Sequence, residues 1–91
     1  MIKLLLFQSE KCSICHAIEP KIRALCQTDF PQVKFELIKA EESPEVCGQN
    51  MVFSFPVVLL FRNGKEIWRK QGAMGINEIN EALTKAIEKA Y

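Results

Sequence analysis

Apolar and polar positions alternate in several distinct rhythms along the chain. Ile2 to Phe7 is an apolar run broken only by Lys3, the pattern of a strand covered on both faces. From Ser13 to about Gln27, Ile14, Ile18, Ile22 and Leu25 recur every three or four positions, which predicts an amphipathic helix with those residues on its buried stripe. Val33, Phe35 and Leu37 alternate with Lys34 and Glu36. That period of two suits a strand with one wet face or at a sheet edge, where the charges discourage edge-to-edge pairing. Ser43-Pro44-Glu45 predicts a short helix, capped by the Ser43 hydroxyl and stopped near Gly48. Val57 to Phe61 is a second apolar strand, and Asn63-Gly64 is the strongest two-residue hairpin signal, turning the chain into Lys65 to Lys70. Ile76, Ile79, Leu83 and Ile87 predict a closing helix with Gly75 as its N-cap. The order is strand, helix, strand, short helix, hairpin, helix, with no repeat or linker, so residues 1–91 are expected to form one domain.

Composition narrows the function classes. The 91 residues suffice for one modest core. A net charge of +1 and a charged fraction of 25% give no electrostatic reason to expect nucleic acid or an anionic membrane as partner. The N-terminal apolar run is too short for a signal peptide and no small-residue cleavage site follows it. No run approaches the roughly 18 apolar residues of a membrane span. A cytoplasmic monomer is expected.

Cys12-Ser13-Ile14-Cys15 carries the chemistry. It lies just after the first strand and at the start of the helical pattern. Positions i and i+3 of a helix share one face, so the two sulfurs can close a disulfide with little backbone change. Unpaired N–H groups and the positive end of the macrodipole favour a thiolate there, and the thiolate is the species that attacks disulfides. Cys12 precedes the first turn, where a side chain reaches solvent, while Cys15 borders the apolar stripe. Cys12 is therefore expected to be the nucleophile and Cys15 the resolving thiol. Lys11 would place a cation beside Cys12. His16 completes a literal CxxCH, the c-type haem attachment motif, but the chain shows neither an export signal nor an all-helical pattern that would enclose a porphyrin. When protonated, His16 would instead add to thiolate stabilisation. Cys26 is about 16 Å of helix beyond Cys15, out of disulfide reach, and reads as a core residue. Cys47 reads as a buried thiol, with a regulatory role or a bond to Cys26 as alternatives. Zinc binding by all four cysteines is disfavoured because the second half of the chain lacks a paired ligand motif. Trp68 is expected to be a half-buried cross-strand residue.

These residues resemble the thioredoxin superfamily. Four landmarks share one register: Cys12 to Cys15; Pro20, where thioredoxins carry a helix-kinking proline; Phe55-Pro56 before an apolar strand, like their cis-proline; and the hairpin Phe61 to Glu66, followed by Gly72. The resemblance covers nearly all of the chain. It implies a compact α/β fold, a four-stranded mixed sheet in the order β-α-β-short α-β-β-α with helices on both faces, without the extra N-terminal strand and helix of full-length thioredoxin. It implies a thiol-disulfide oxidoreductase acting on disulfide-containing protein substrates, supplied with electrons by a thioredoxin-reductase-type donor and needing no bound cofactor or metal. The substrate would be held by Phe55, Pro56, Lys11, Ser13 and Ile14. The segment Gln71 to Gly75 lacks the acidic glutathione-anchoring motif of glutaredoxins.

Three departures from the family pattern matter. Leu6 stands where many thioredoxins keep a buried acid, Lys11 where a tryptophan is common, and Ser13-Ile14 where Gly-Pro is usual. With Lys11 and His16 near the thiols, the expected reduction potential lies above the roughly −270 mV of thioredoxin. Two alternative readings remain open on sequence alone: a thioredoxin-fold binding module with idle cysteines, and a metal or iron–sulfur carrier.

Overall fold

The computed structural model describes residues 1–88; the end of the expected 1–91 domain, residues 89–91, lies outside the described residues. The elements run β1 (Ile2–Gln8), α1 (Ser13–Asp29), β2 (Lys34–Lys39), α2 (Pro44–Gln49), β3 (Val57–Arg62), β4 (Lys65–Gln71) and α3 (Ile76–Glu88). The sheet order is β2-β1-β3-β4, with β1 parallel to β2 and antiparallel to β3, and β3 antiparallel to β4. The two uninterrupted apolar runs are thus the two central strands, and the alternating Lys34 to Lys39 segment is an edge.

Strand alternation sends side chains into two cores. Leu4 and Leu6 of β1 and Val58 and Leu60 of β3 pack with Ile18, Ile22 and Cys26 of α1 and with Ile79 and Leu83 of α3. On the other face Leu5, Phe7, Val57 and Leu59 pack with Cys47 of α2 and with Val52. Each fully buried leucine contributes about 2 kcal/mol of hydrophobic stabilisation relative to exposure. Cys26 and Cys47 stand on opposite sides of a sheet whose packed layers are about 10 Å apart, so the alternative of a bond between them is excluded.

Local chemistry sets the connections. Asn63 and Gly64 have φ of 51° and 83°, the positive values that a type I′ hairpin requires of both central residues. Trp68 pairs with Leu60 across β3 and β4 and is half-buried, as expected. Gly75 precedes α3, and its N–H donates to Glu78 Oε1 at 3.0 Å, the reach-back half of a capping box. Pro20 sits inside α1 without ending it, although the helical N–H that would serve the His16 carbonyl is missing there.

Two details of α2 correct the sequence expectation. Ser43 precedes the helix and Pro44 opens it, but the Ser43 side chain makes no capping hydrogen bond. Nor does Gly48 stop the helix, which continues to Gln49. The stop is a Schellman motif: Val52 N–H donates to Cys47 O at 2.8 Å and Met51 N–H to Gly48 O at 3.1 Å, with Met51 left-handed at φ 57°. The absence of an αL glycine makes this end hard to see in the sequence.

Candidate active site

β1 delivers the chain to the dithiol. Ala40 N–H donates to Gln8 O at 2.8 Å, and Cys12 N–H donates to Ser9 O at 3.1 Å, closing the turn before the helix. Cys12 is the N-cap of α1, with extended φ and ψ of −91° and 99°. It is joined to Cys15 by a disulfide whose Cα atoms are 5.3 Å apart, so the structure is that of the oxidised protein. The N–H of Cys15 donates to Cys12 Sγ at 3.2 Å. Sulfur therefore occupies the place of the oxygen that normally caps the third helical N–H. The first turn of α1 holds no acidic residue, so no carboxylate there opposes negative charge on this sulfur. Cys12 is half-buried and Cys15 fully buried. Of the two, Cys12 is the more accessible.

The other expected site residues surround this helix end unequally. Lys11 and Ser13 are exposed. Ile14, assigned by its spacing to the buried stripe, is 46% exposed; the buried residues of the helix are Cys15, Ile18, Ile22 and Cys26. The buried line of α1 runs through residues 15, 18, 22 and 26, and residue 14 lies about 100° of helical turn from Cys15, outside that line. The peptide between Phe55 and Pro56 is cis. Pairing of Phe7 with Val57 sets this segment beside the end of β1 that leads to Cys12. Pro56 itself is fully buried and its carbonyl accepts from Gly72 N–H at 2.9 Å, while Phe55 is half-buried against the second core.

Several residues near the site escaped the sequence reading. Phe53 and Met51 are 77% and 70% exposed in the loop before Pro56; apolar residues outside any periodic run give no signal of exposure. Arg69 of β4 grips this loop, donating to Asn50 O at 2.7 Å and to Met51 O at 3.5 Å. Its guanidinium also makes paired bonds to Glu66 at 2.9 and 3.1 Å. That bond holds the Glu66 carboxyl below, and the Arg69 guanidinium above, their ordinary values. On the opposite side, Glu41 Oε2 accepts from Glu10 N–H at 3.0 Å, while His16 Nε2 lies 2.9 Å from Glu10 O and must donate to it. Hydrogen bonding by the Glu10 N–H, with the nearby His16, keeps the Glu41 carboxyl below its usual range. Gln8, Ser9, Glu10, His16, Lys39, Glu41 and Glu42 line a shallow hollow here. Gln8 is 4% exposed, with its Oε1 buried and unbonded. Glutamine ending an apolar strand is the signal that could have marked this hollow.

Burial raises the Cys26 thiol to about 11, and burial, aided by the Glu41 charge, raises Cys47 as well. Both are free thiols that favour the neutral, unreactive form. Among the described residues no group of three or more His, Cys, Asp or Glu is arranged to hold a metal ion. No described helix is long and apolar enough to cross a membrane.

A mixed four-stranded sheet, a cysteine pair capping the first helix and a cis-proline beside it define a thioredoxin-fold dithiol protein. Comparison with known proteins agrees. The thioredoxin family model matches residues 2–85. The chain is 34% identical over 80 residues to thioredoxin-like protein YdfQ of Bacillus subtilis, covering 88% of this chain and 70% of that protein. It is 34% identical over 67 residues to thioredoxin-1 of Saccharomyces cerevisiae, covering 74% of this chain and 64% of that one. The solved structure of thioredoxin 1 from Thermosipho africanus superimposes with a TM-score of 0.86 at 29% identity, covering 94% of both chains. The chain belongs to the thioredoxin family and is a thiol-disulfide oxidoreductase.

Proposed function

We propose that the protein reduces disulfides of other proteins through Cys12 and Cys15, with Cys12 as nucleophile and Cys15 as resolving thiol. The observation that carries this assignment is the difference in exposure between two sulfurs already close enough to bond: Cys12 is reachable, Cys15 is sealed. In the reduced protein the Cys12 thiolate attacks one sulfur of a substrate disulfide, forming a mixed disulfide and expelling the first substrate thiolate. Cys15, on losing its proton, attacks Cys12 Sγ, and the second substrate thiolate leaves. Two electrons pass to the substrate and the protein returns to the disulfide form seen here. A thioredoxin-reductase-type donor would restore the dithiol, in keeping with the family and with work in a reducing compartment such as the cytoplasm.

Substrate is held, on this reading, by Lys11, Ser13 and Ile14 on the helix side and by Phe55 and Pro56 on the loop side. The exposure of Ile14 supports its part in that contact. Pro56 would act through its backbone and its effect on the chain, since its ring is buried. The protein would act as a monomeric single domain over residues 1–91. Insulin reduction with dithiothreitol tests the assignment: Cys12→Ser abolishes turnover, and Cys15→Ser accumulates a mixed disulfide on Cys12. A mixed disulfide accumulating on Cys15 in the Cys12→Ser protein, with none on Cys12 in the Cys15→Ser protein, would reverse the two roles.

A further inference from the structure

The turn that carries Cys12 is backed by a hollow that the thiol chemistry leaves idle. Cys12 N–H donates to Ser9 O at 3.1 Å, and Cys12 O accepts from His16 N–H at 3.2 Å; Ser9 and His16 both line the hollow. The main chain of Cys12 is thus bonded on both sides to residues of its wall. The hollow lies between the β1–α1 turn and the loop after β2. Those segments are joined by Ala40 N–H to Gln8 O at 2.8 Å and by Glu10 N–H to Glu41 Oε2 at 3.0 Å. At about 320 Å³ it can admit the end of one long side chain.

Two observations say what the hollow takes. The first is Gln8, the one buried residue of its lining, which is 4% exposed with Oε1 shielded from solvent and lacking a hydrogen-bond partner. A buried acceptor left unbonded is costly, and a donor brought into the hollow relieves it. The second is charge. The carboxylates of Glu10, Glu41 and Glu42 share the hollow with a single ammonium, that of Lys39, and none of the four makes an ion pair among the described residues. One Glu41 oxygen is engaged by the Glu10 N–H, while His16 gives its ring N–H to the Glu10 carbonyl at 2.9 Å. Surplus acceptors and surplus negative charge call for a cationic donor. Among the described residues these carboxylates are not arranged to hold a metal ion, so the acceptors are spread rather than convergent. A guanidinium presents five N–H donors in a planar fork and suits acceptors set apart from one another.

We infer that this hollow is a specificity subsite for a basic side chain of the substrate, arginine above all, standing within a few residues of the cysteine that Cys12 attacks. With the Phe55-Pro56 loop on one side of the dithiol and the hollow on the other, a substrate segment engaged at Cys12 lays that side chain over the Ser9–Glu10 turn toward Glu41, Glu42 and the Gln8 amide. The inference deepens the proposed function and rests on Cys12 being the nucleophile. It adds no chemical step; the ion pairs raise the occupancy of the encounter from which the thiolate attacks.

The experiment compares kcat/KM of the full-length reduced protein on pairs of disulfide peptides. The two members of a pair are identical except for arginine or glutamine at one position two or three residues to either side of the cysteine. At low salt the arginine member is expected to be favoured about two- to fivefold at one of these positions, the size of a partly exposed ion pair, and 1 M salt to erase the preference by screening. Glu41→Gln and Glu42→Gln are each expected to shrink the arginine-to-glutamine ratio, and Glu42→Lys to drive it below that of either. The ratio is the readout because an altered fold or an altered dithiol changes both members alike. Equal values for arginine and glutamine at every position would overturn the inference, as would a preference that Glu41→Gln and Glu42→Gln leave intact. Failure of the underlying reading is separately visible, since neither member of any pair would then be reduced. In that event NMR titration of the oxidised protein with N-acetylarginine amide decides the subsite: the Gln8 side-chain amide and Glu10 backbone signals are expected to move, and the uncharged citrulline analogue to leave them in place. Unmoved signals with the arginine compound would overturn it.

Discussion

The N–H of Cys15 donates to the Sγ of Cys12 at 3.2 Å. One sulfur is thereby both the helix cap and the exposed end of the dithiol, while the other lies in the core. This relationship ranks the cysteines by reactivity. In reduced, folded protein treated with limiting iodoacetamide, Cys12 is expected to react first. Cys15, Cys26 and Cys47 should follow at least about tenfold more slowly, because thiolate character and access control the rate. All four should react quickly in denaturant. Peptide mass spectrometry over time checks the order, and early labelling of Cys26, whose thiol burial raises to about 11, would contradict the packing described.

Arg69 joins β4 to the loop that carries Met51, Phe53 and Phe55, through the carbonyls of Asn50 and Met51. Arg69→Met removes these bonds and leaves Glu66 without its partner. The pair is partly exposed, so the expected stability loss is modest, about 1 kcal/mol. The effect on function should be larger than that loss suggests, because the loop lies beside the dithiol. KM for insulin is expected to rise while the Cys12 alkylation rate stays unchanged. A changed alkylation rate with unaltered KM would assign Arg69 a different role.

Much of the site was legible because its signals are local. The runs Ile2 to Phe7 and Val57 to Phe61 marked the central strands, Asn63-Gly64 marked the hairpin, and Cys12 to Cys15 at a helix start marked the chemistry. Ile14 was misplaced because apolar spacing alone does not show that the buried line of α1 opens at Cys15. The end of α2 falls at Gln49, one residue past Gly48, but its capping residue was not legible because methionine, not glycine, takes the left-handed position. Glu41 escaped because it meets Glu10 across 31 residues of sequence, a contact that only the parallel pairing of β1 and β2 creates.

Acid should destabilise the protein through its hydrogen-bonded carboxylates. Glu41 is lowered chiefly by the Glu10 N–H, Glu78 by the Gly75 N–H and then Lys70, and Glu66 by Arg69. A carboxyl whose folded value lies below its unfolded one contributes stability that is present above the unfolded value and is lost as pH falls through the folded one. The contribution from these groups is therefore expected to hold down to about pH 5 and to fall below about pH 4.3, the ordinary glutamate value. Urea unfolding across pH 2–8 checks this, and Glu78→Gln should flatten part of the acid limb. An acid limb unchanged in that variant would exclude Glu78 as a contributor.

Alkali should act through Cys26. Its folded value of about 11 lies above that of an unfolded thiol. Its contribution is complete below about pH 8.5 and is lost as pH rises toward the folded value, because only the unfolded chain ionises there. Cys26→Ala is expected to lower stability at neutral pH by removing a packed side chain, yet to make the decline above pH 8.5 shallower. Parallel alkaline limbs in the two proteins would contradict this.

The most direct test of the account is the redox equilibrium of Cys12 and Cys15 in glutathione buffers, read by alkylation and mass shift. The expected result is one reversible two-electron transition confined to these cysteines, and the departures from the family pattern at Leu6 and Lys11 lead us to expect a potential above about −270 mV. Absence of a reversible Cys12–Cys15 disulfide would contradict the central claim, and a reversible transition at or below that potential would contradict the electrostatic part of it.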